Sequence, residues 1–362
     1  MKKTLFAALA LAFVASCSNE EVVEMAQKEA ISFDKTFVNN STRSVTDPSY
    51  KNDKLFSDFA VNGFVNQTVL FDDLRVYTEA TAPITTAATW KYDNVQYWIP
   101  DALYSFCALA PNTNGGWSNL TATVGTTLSE GTKTITTSFD FTNNGTTDLL
   151  YDEAGCVKGK ASGNTAVPFT FRHLLSKVKF SFENQYNATN SAIKVTGIKI
   201  TNAHKTAKAE LTSTTTTWKD LGTTPSLSLD FGDATDDENT PNNNEDTAPE
   251  NGYASGSTYE SKNELLLIPS AEYEYKVEFT VALYINNALI DTYYHTGDQA
   301  ATVKFAPAAG NSYDIKAVIT PNNINDDPTV KQEPIEFTVT EINGWTPATG
   351  NTTVTIPENN NN

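Results

Sequence analysis

Histidine and cysteine are scarce in this chain, at three residues each, and neither type gathers into a reactive pattern. His173, His204 and His295 are far apart in sequence, and no Cys-x-x-Cys pair offers the ligand spacing of a zinc site. The G-x-S-x-G elbow, the H-E-x-x-H pair and the phosphate-binding glycine loops are absent as well. These absences argue against an enzyme, and no cofactor or metal is expected. Basic residues are also few: 25 Lys and Arg stand against 43 Asp and Glu, a net charge of −18. Nucleic-acid binding rests on cations that neutralise phosphate, so nucleic acid is not an expected partner. A polybasic hold on anionic lipid is disfavoured for the same reason. Apolar runs are short too, since the stretch from Leu5 to Phe13 falls well below the roughly 20 residues of a membrane-spanning helix.

What is present points to an exported protein with real cores. Hydrophobic residues make up 39% of the chain and aromatics 11%, enough to bury apolar surface on a domain scale. With 362 residues, two domains of about 100–200 residues are expected. Lys2 and Lys3, the apolar Leu5–Phe13 run and the small Ala15 and Ser16 before Cys17 have the layout of a secretory signal. Cys107 and Cys156 are left as either a disulfide or two thiols, with Cys107 in an apolar strand-like run that suits a buried thiol.

From Ile31 onward the chain reads as β. Thr, Val, Tyr and Phe are punctuated by Asn, Gly, Asp and Pro clusters. Alternation is clearest from Tyr273 to Ile285, where Tyr275, Val277, Phe279, Val281 and Leu283 alternate with Glu274, Lys276, Glu278 and Thr280. Asn286-Asn287 then predicts a hairpin turn. Further strands are expected at 174–182, 193–200, 265–268, 312–319 and 335–339. Between Asp230 and Glu250 lie eight acidic residues and no basic one. That segment reads as a long loop, with a calcium site as the sharper alternative. Trp90, Tyr92, Tyr97 and Trp98 flank a turn, and core packing is favoured for them over a carbohydrate platform. His173, on an alternating run, reads as a hydrogen-bonded core or hinge residue.

Two resemblances extend this reading. Val14-Ala15-Ser16-Cys17 resembles the lipobox of bacterial lipoproteins, which implies that residues 1–16 are a signal peptide and that Cys17 is acylated, as with palmitate. Glu20-Glu21 resembles the signal that sends some lipoproteins of anaerobic Gram-negative bacteria to the cell surface. Three further patches resemble the fimbrillin family of type V pili and related lipoproteins. They are Ile31-Ser32-Phe33 followed by Thr42-Arg43-Ser44; the run from Trp90-Lys91-Tyr92 through Tyr97-Trp98-Ile99-Pro100 to Tyr104–Pro111; and Asp148-Leu149-Leu150-Tyr151 followed by Pro168–Val178.

The resemblance implies an all-β protein with two tandem transthyretin-like Greek-key β-sandwich domains, at 44–167 and 168–362. A lipid tether and removable first strand precede them at 17–43. It further implies a structural or adhesive fimbrial subunit, carried as a lipoprotein to the outer membrane and into the fimbrium after processing. An Arg-specific protease would cut between Arg43 and Ser44. That cut would release the strand containing Ile31 and Phe33, and a neighbouring subunit would refill the groove. Val354 and Ile356 are the donor-strand candidates, although the same segment can equally close its own sheet. The expected partners are other fimbrial subunits, reached by strand exchange, and the outer membrane through the Cys17 lipid. Uncleaved, the chain would be a permanently anchored surface adhesin for a host glycan or protein.

Overall fold

The computed structural model describes residues 28–38, 56–79, 90–235, 252–324, 333–342 and 354–355. These residues form twenty-three strands and one 3-10 turn, with no α-helix among them, so the protein is all-β. Strands are numbered in chain order. No helix of the described residues is long and apolar enough to cross a membrane, which says nothing of a β-barrel.

The first sheet runs β1 (Phe33–Val38), β8 (Val167–His173), β7 (Leu150–Lys158), β4 (Leu103–Ala110), β2 (Asp58–Val65) and β3 (Thr68–Tyr77). Its central strand, β4, is apolar almost without a break. The reason is burial on both faces, which removes the usual alternation. Tyr104, Phe106, Ala108 and Ala110 enter one core, with Phe59, Phe71, Phe169 and Phe171. Cys107 and Leu109 point the other way, into a core shared with the second sheet. That second sheet runs β12 (Thr216–Gly222), β11 (Thr206–Leu211), β6 (Ile135–Thr142) and β5 (Trp117–Val124).

The remaining strands form a second sandwich around one large core. One of its sheets runs β13 (Leu227–Gly232), β10 (Ser191–Ala203), β18 (Tyr273–Ile285) and β19 (Ala288–His295), with β15 (Tyr253–Ala254) on β10 and β20 (Ala301–Phe305) on β18. The other runs β14 (Ala234–Thr235), β16 (Thr258–Ser261), β9 (Ser176–Asn184), β21 (Ser312–Ile319), β22 (Phe337–Ile342) and β23 (Val354–Thr355), with β17 (Leu265–Leu267) on β9. The alternation at 273–285 is realised in β18, where Tyr275, Val277, Phe279, Val281 and Leu283 are all buried. Asn286 and Asn287 take φ of 53° and 63°, the left-handed pair that a two-residue hairpin requires.

Two segments tie the sandwiches together. The expected boundary at 167/168 falls inside β8, whose strand partners β1 and β7 both belong to the first sheet. The β11–β12 hairpin, although late in sequence, pairs with β6 from Thr206↔Thr142 to Leu211↔Thr137. Its alternation explains this placement: Ala207, Ala209 and Leu211 are buried in the shared core while Thr206, Lys208 and Glu210 face water.

Residues around 172–177 stitch these parts. Arg172 donates to the carbonyls of Thr212 and Thr215, each at 2.9 Å, and its guanidinium lies 5.0 Å from the Tyr151 ring centroid. Trp218 Nε1 donates to the Leu174 carbonyl at 3.2 Å. Lys177 pairs with Glu264 at 2.8 Å. His173 is buried, with its Nδ1 2.5 Å from Asp148 Oδ2, and so packs as a hydrogen-bonded core residue.

Cys107 and Cys156 are both free and buried. Burial pushes the Cys107 thiol up to about 12. Thiol titration of a Cys17→Ser form is therefore expected to find no reactive thiol under native conditions and two in denaturant. Arg172→Ala strips the hairpin turn of its donor and is expected to cost roughly 2 kcal/mol, measured by chemical denaturation.

Candidate functional site

Strand β1 is the structural centre of the functional question. Among the described residues its one strand neighbour is β8, with which it pairs in parallel, Phe33 opposite Val167 and Val38 opposite Phe171. The segment just before it is held by main-chain bonds rather than by regular sheet. Ile31 N donates to the Gln96 carbonyl at 2.8 Å, Trp98 N to the Glu29 carbonyl at 3.0 Å, and Val167 N to the Ser32 carbonyl at 2.8 Å. The Tyr92 hydroxyl adds a 2.6 Å bond to the Ile31 carbonyl. Both sides of the segment are thus occupied, by the 90–98 loop and by β8.

Ile31 and Phe33 are the buried side chains of this segment, at 1% and 4% exposure. Phe33 lies among five aromatic rings, with centroids 5.6 Å away for Tyr92, 6.0 Å for Phe106 and Phe169, 6.1 Å for Phe71 and 6.4 Å for Phe59. The Phe169 ring is stacked and the Phe59 and Phe106 rings are edge-on, the geometries that aromatic quadrupoles favour. Gly63 makes this cage possible. A Cβ there would lie 2.8 Å from Phe71 Cδ2 and 2.9 Å from Phe106 Cδ1, two rings that touch Phe33.

The outer end of the segment carries a contact that the sequence did not suggest. The Glu29 carboxylate accepts three bonds of 2.7 Å, from Gly163 N, Asn164 N and Asn164 Nδ2. The turn behind it is closed by its own bonds, Lys160 N to Asn164 Oδ1 at 2.8 Å and Asn164 Nδ2 to the Lys160 carbonyl at 2.9 Å. Gly163 has φ of +72°, a left-handed value that lets successive N–H groups converge. The Asn164 and Gly163 main-chain donors, followed by the Asn164 amide, hold the Glu29 carboxyl below the ordinary carboxylate range. Gly-Asn after Lys160 reads in sequence as a turn, but its carboxylate partner lies 134 residues away from Gly163.

Of the aromatic loop, Trp98 is buried, and Trp90 and Tyr92 are partly buried against the Phe33 core. Tyr97 is the exception, at 47% exposure. Cys17, Arg43, Ser44 and Ile356 lie outside the described residues, as does most of the acidic stretch, residues 236–251. Val354 belongs to β23, which pairs with β22 through Thr338↔Thr355 and Val339↔Val354. Among the described residues no group of three or more His, Cys, Asp or Glu could hold a metal ion. Phe33→Ala would empty the aromatic cage, and a loss of about 3–5 kcal/mol is expected, read from the denaturant midpoint of the first sandwich.

Comparison with known proteins bears on this architecture. None of the curated proteins matches the chain. A fimbrial protein of Bacteroides vulgatus is similar in structure, at 17% identity over 88% of this chain and 99% of that one, with a TM-score of 0.53. The fimbrial anchor protein Mfa2 of Porphyromonas gingivalis also matches, at 13% identity over 88% of this chain and 98% of that one, with a TM-score of 0.32. The first likeness supports the all-β fold. A fimbrillin-like family model matches residues 42–345, most of the chain. That family is structural and adhesive rather than enzymatic, and this protein belongs to it.

Proposed function

We propose that this protein is a fimbrial subunit, delivered as an outer-membrane lipoprotein through Cys17 and activated by cleavage between Arg43 and Ser44. The observation that carries this reading is the seating of Ile31 and Phe33. They are buried at the edge of the first sheet, Phe33 as the first residue of β1 and Ile31 just before it, and Arg43 follows Phe33 by ten residues. A cut there separates β1 from the rest of the chain and detaches the lipid at the same time. Losing β1 leaves the N-terminal half of β8 with unpaired main-chain groups, the state in which a sheet edge recruits another strand. It also bares the rings around Phe33, each able to bury about 150–250 Å². A strand from a neighbouring subunit restores both. On this reading the mature subunit has an acceptor domain at 44–167 and a second domain at 168–362, with β8, β11 and β12 completing the first.

The donor is the segment containing Val354 and Ile356. Among the described residues two pairs, Thr338↔Thr355 and Val339↔Val354, join β23 to β22. That same pairing favours the second reading, in which the segment stays on its own sheet. The uncleaved chain is then a permanently anchored surface adhesin for a host glycan or protein.

N-terminal sequencing of protein released from cells separates the two. The subunit reading expects a start at Ser44, and expects Arg43→Ala to abolish release and filaments. Recovery of the lipidated Cys17 form alone, with filaments absent from the wild type, would sink it.

A further inference from the structure

The turn that holds Glu29 has a consequence for what enters the groove. Glu29, Ile31 and Phe33 form an acid-x-apolar-x-apolar series, read toward the C-terminus. The C-terminal segment contains the same series in reverse order, Val354-x-Ile356-x-Glu358. Side chains two apart lie on one face of an extended chain, with the same spacing whichever way the chain runs. Laid antiparallel to the course of β1, the segment therefore puts Val354 at the place of Phe33, Ile356 at that of Ile31 and Glu358 at that of Glu29. Laid in the same direction as β1, it puts Thr352 against the turn and leaves the converging donors without a carboxylate.

We propose that the turn at residues 160–164 is a carboxylate-binding subsite that fixes the direction and register of an incoming strand, taking Glu358 of a second copy in place of Glu29. The proposal rests on the strand-exchange reading above and adds to it a ligand group, a direction and a register. Three features of the fold support it. The turn is closed by two bonds of its own between Lys160 and Asn164, so the donors Gly163 N, Asn164 N and Asn164 Nδ2 stay convergent without Glu29. Burial of apolar side chains alone does not set direction, whereas one charge-assisted contact at one end of the groove does. Finally, β1 is parallel to β8, so a reversed strand pairs antiparallel with β8, the slightly more stable arrangement per residue. Val354 is smaller than Phe33 and underfills the aromatic cage, which places more of the register on the carboxylate.

The test uses full-length protein treated with an Arg-specific protease, with polymer growth followed as SDS-resistant ladders. Copies carrying Ser162→Cys in the turn are mixed with copies carrying Asn359→Cys or Asn351→Cys, and a short bismaleimide is added. Ser162 is exposed and supplies none of the three donors, and the native thiols Cys107 and Cys156 are buried. Crosslinks through Asn359→Cys and none through Asn351→Cys are expected. Glu358→Gln is expected to slow polymer growth on the order of tenfold, with Asn164→Ala acting in the same direction. Growth at the wild-type rate with Glu358→Gln, or crosslinking through Asn351→Cys, overturns the proposal while strand exchange stands. A wild-type protein that yields no ladder overturns strand exchange, and the subsite with it.

Discussion

The pairing of β1 with the outer half of β8 is the constraint on which the rest of the first sandwich depends. Buried main-chain groups must be hydrogen-bonded, and on that side Val167–Phe171 has β1 for its strand partner. The requirement is doubled by side chains. Phe33 closes a cage whose other rings come from β2, β3, β8 and the 90–98 loop, and from the doubly buried β4. Such a core relaxes only partially around a removed side chain, because interiors are packed as densely as organic crystals. At this edge the main-chain pairing with β8 and the side-chain cage around Phe33 are thus supplied by the same short segment.

That arrangement is held from the other side by the chain between the sandwiches. Arg172 and Leu174 secure the β11–β12 hairpin through its turn and through Trp218. The hairpin completes the sheet that covers the far face of β4. β17 adds a second tie: Leu265 and Leu267 enter the large core while Leu266 enters the core beneath β4. Leu266 also donates its N–H to the Gly145 carbonyl at 2.8 Å. Residues beyond 172 thus support the sheet that receives β1, and the division into halves is one of sequence more than of packing.

Much of this was legible in the chain itself. The β-branched and aromatic composition and the alternation over 273–285 were enough for an all-β protein. The hairpin at Asn286-Asn287 followed from residue types that tolerate positive φ. Ile31 and Phe33 were marked by the resemblance to the fimbrillin family, and the aromatic loop by its bulk. Tyr97 shows the limit of that second inference. It is exposed beside buried Trp98 because neighbouring residues in an extended stretch point to opposite sides.

The sequence by itself determined what is local: strand periodicity, turn chemistry and the apolar identity of Ile31 and Phe33. Only the tertiary structure decided which edges meet. It placed β8 in the first sheet and the late hairpin on β6. It left Cys107 and Cys156 as separate thiols, and it brought Glu29 to the turn at 160–164. The physical reason is that strand pairing acts between main-chain groups common to every residue, and that two of the three donors to the Glu29 carboxylate are also main-chain N–H groups. A carbonyl or an N–H carries no signature of its partner in the sequence until the hydrophobic cores have assembled and brought distant edges within bonding distance.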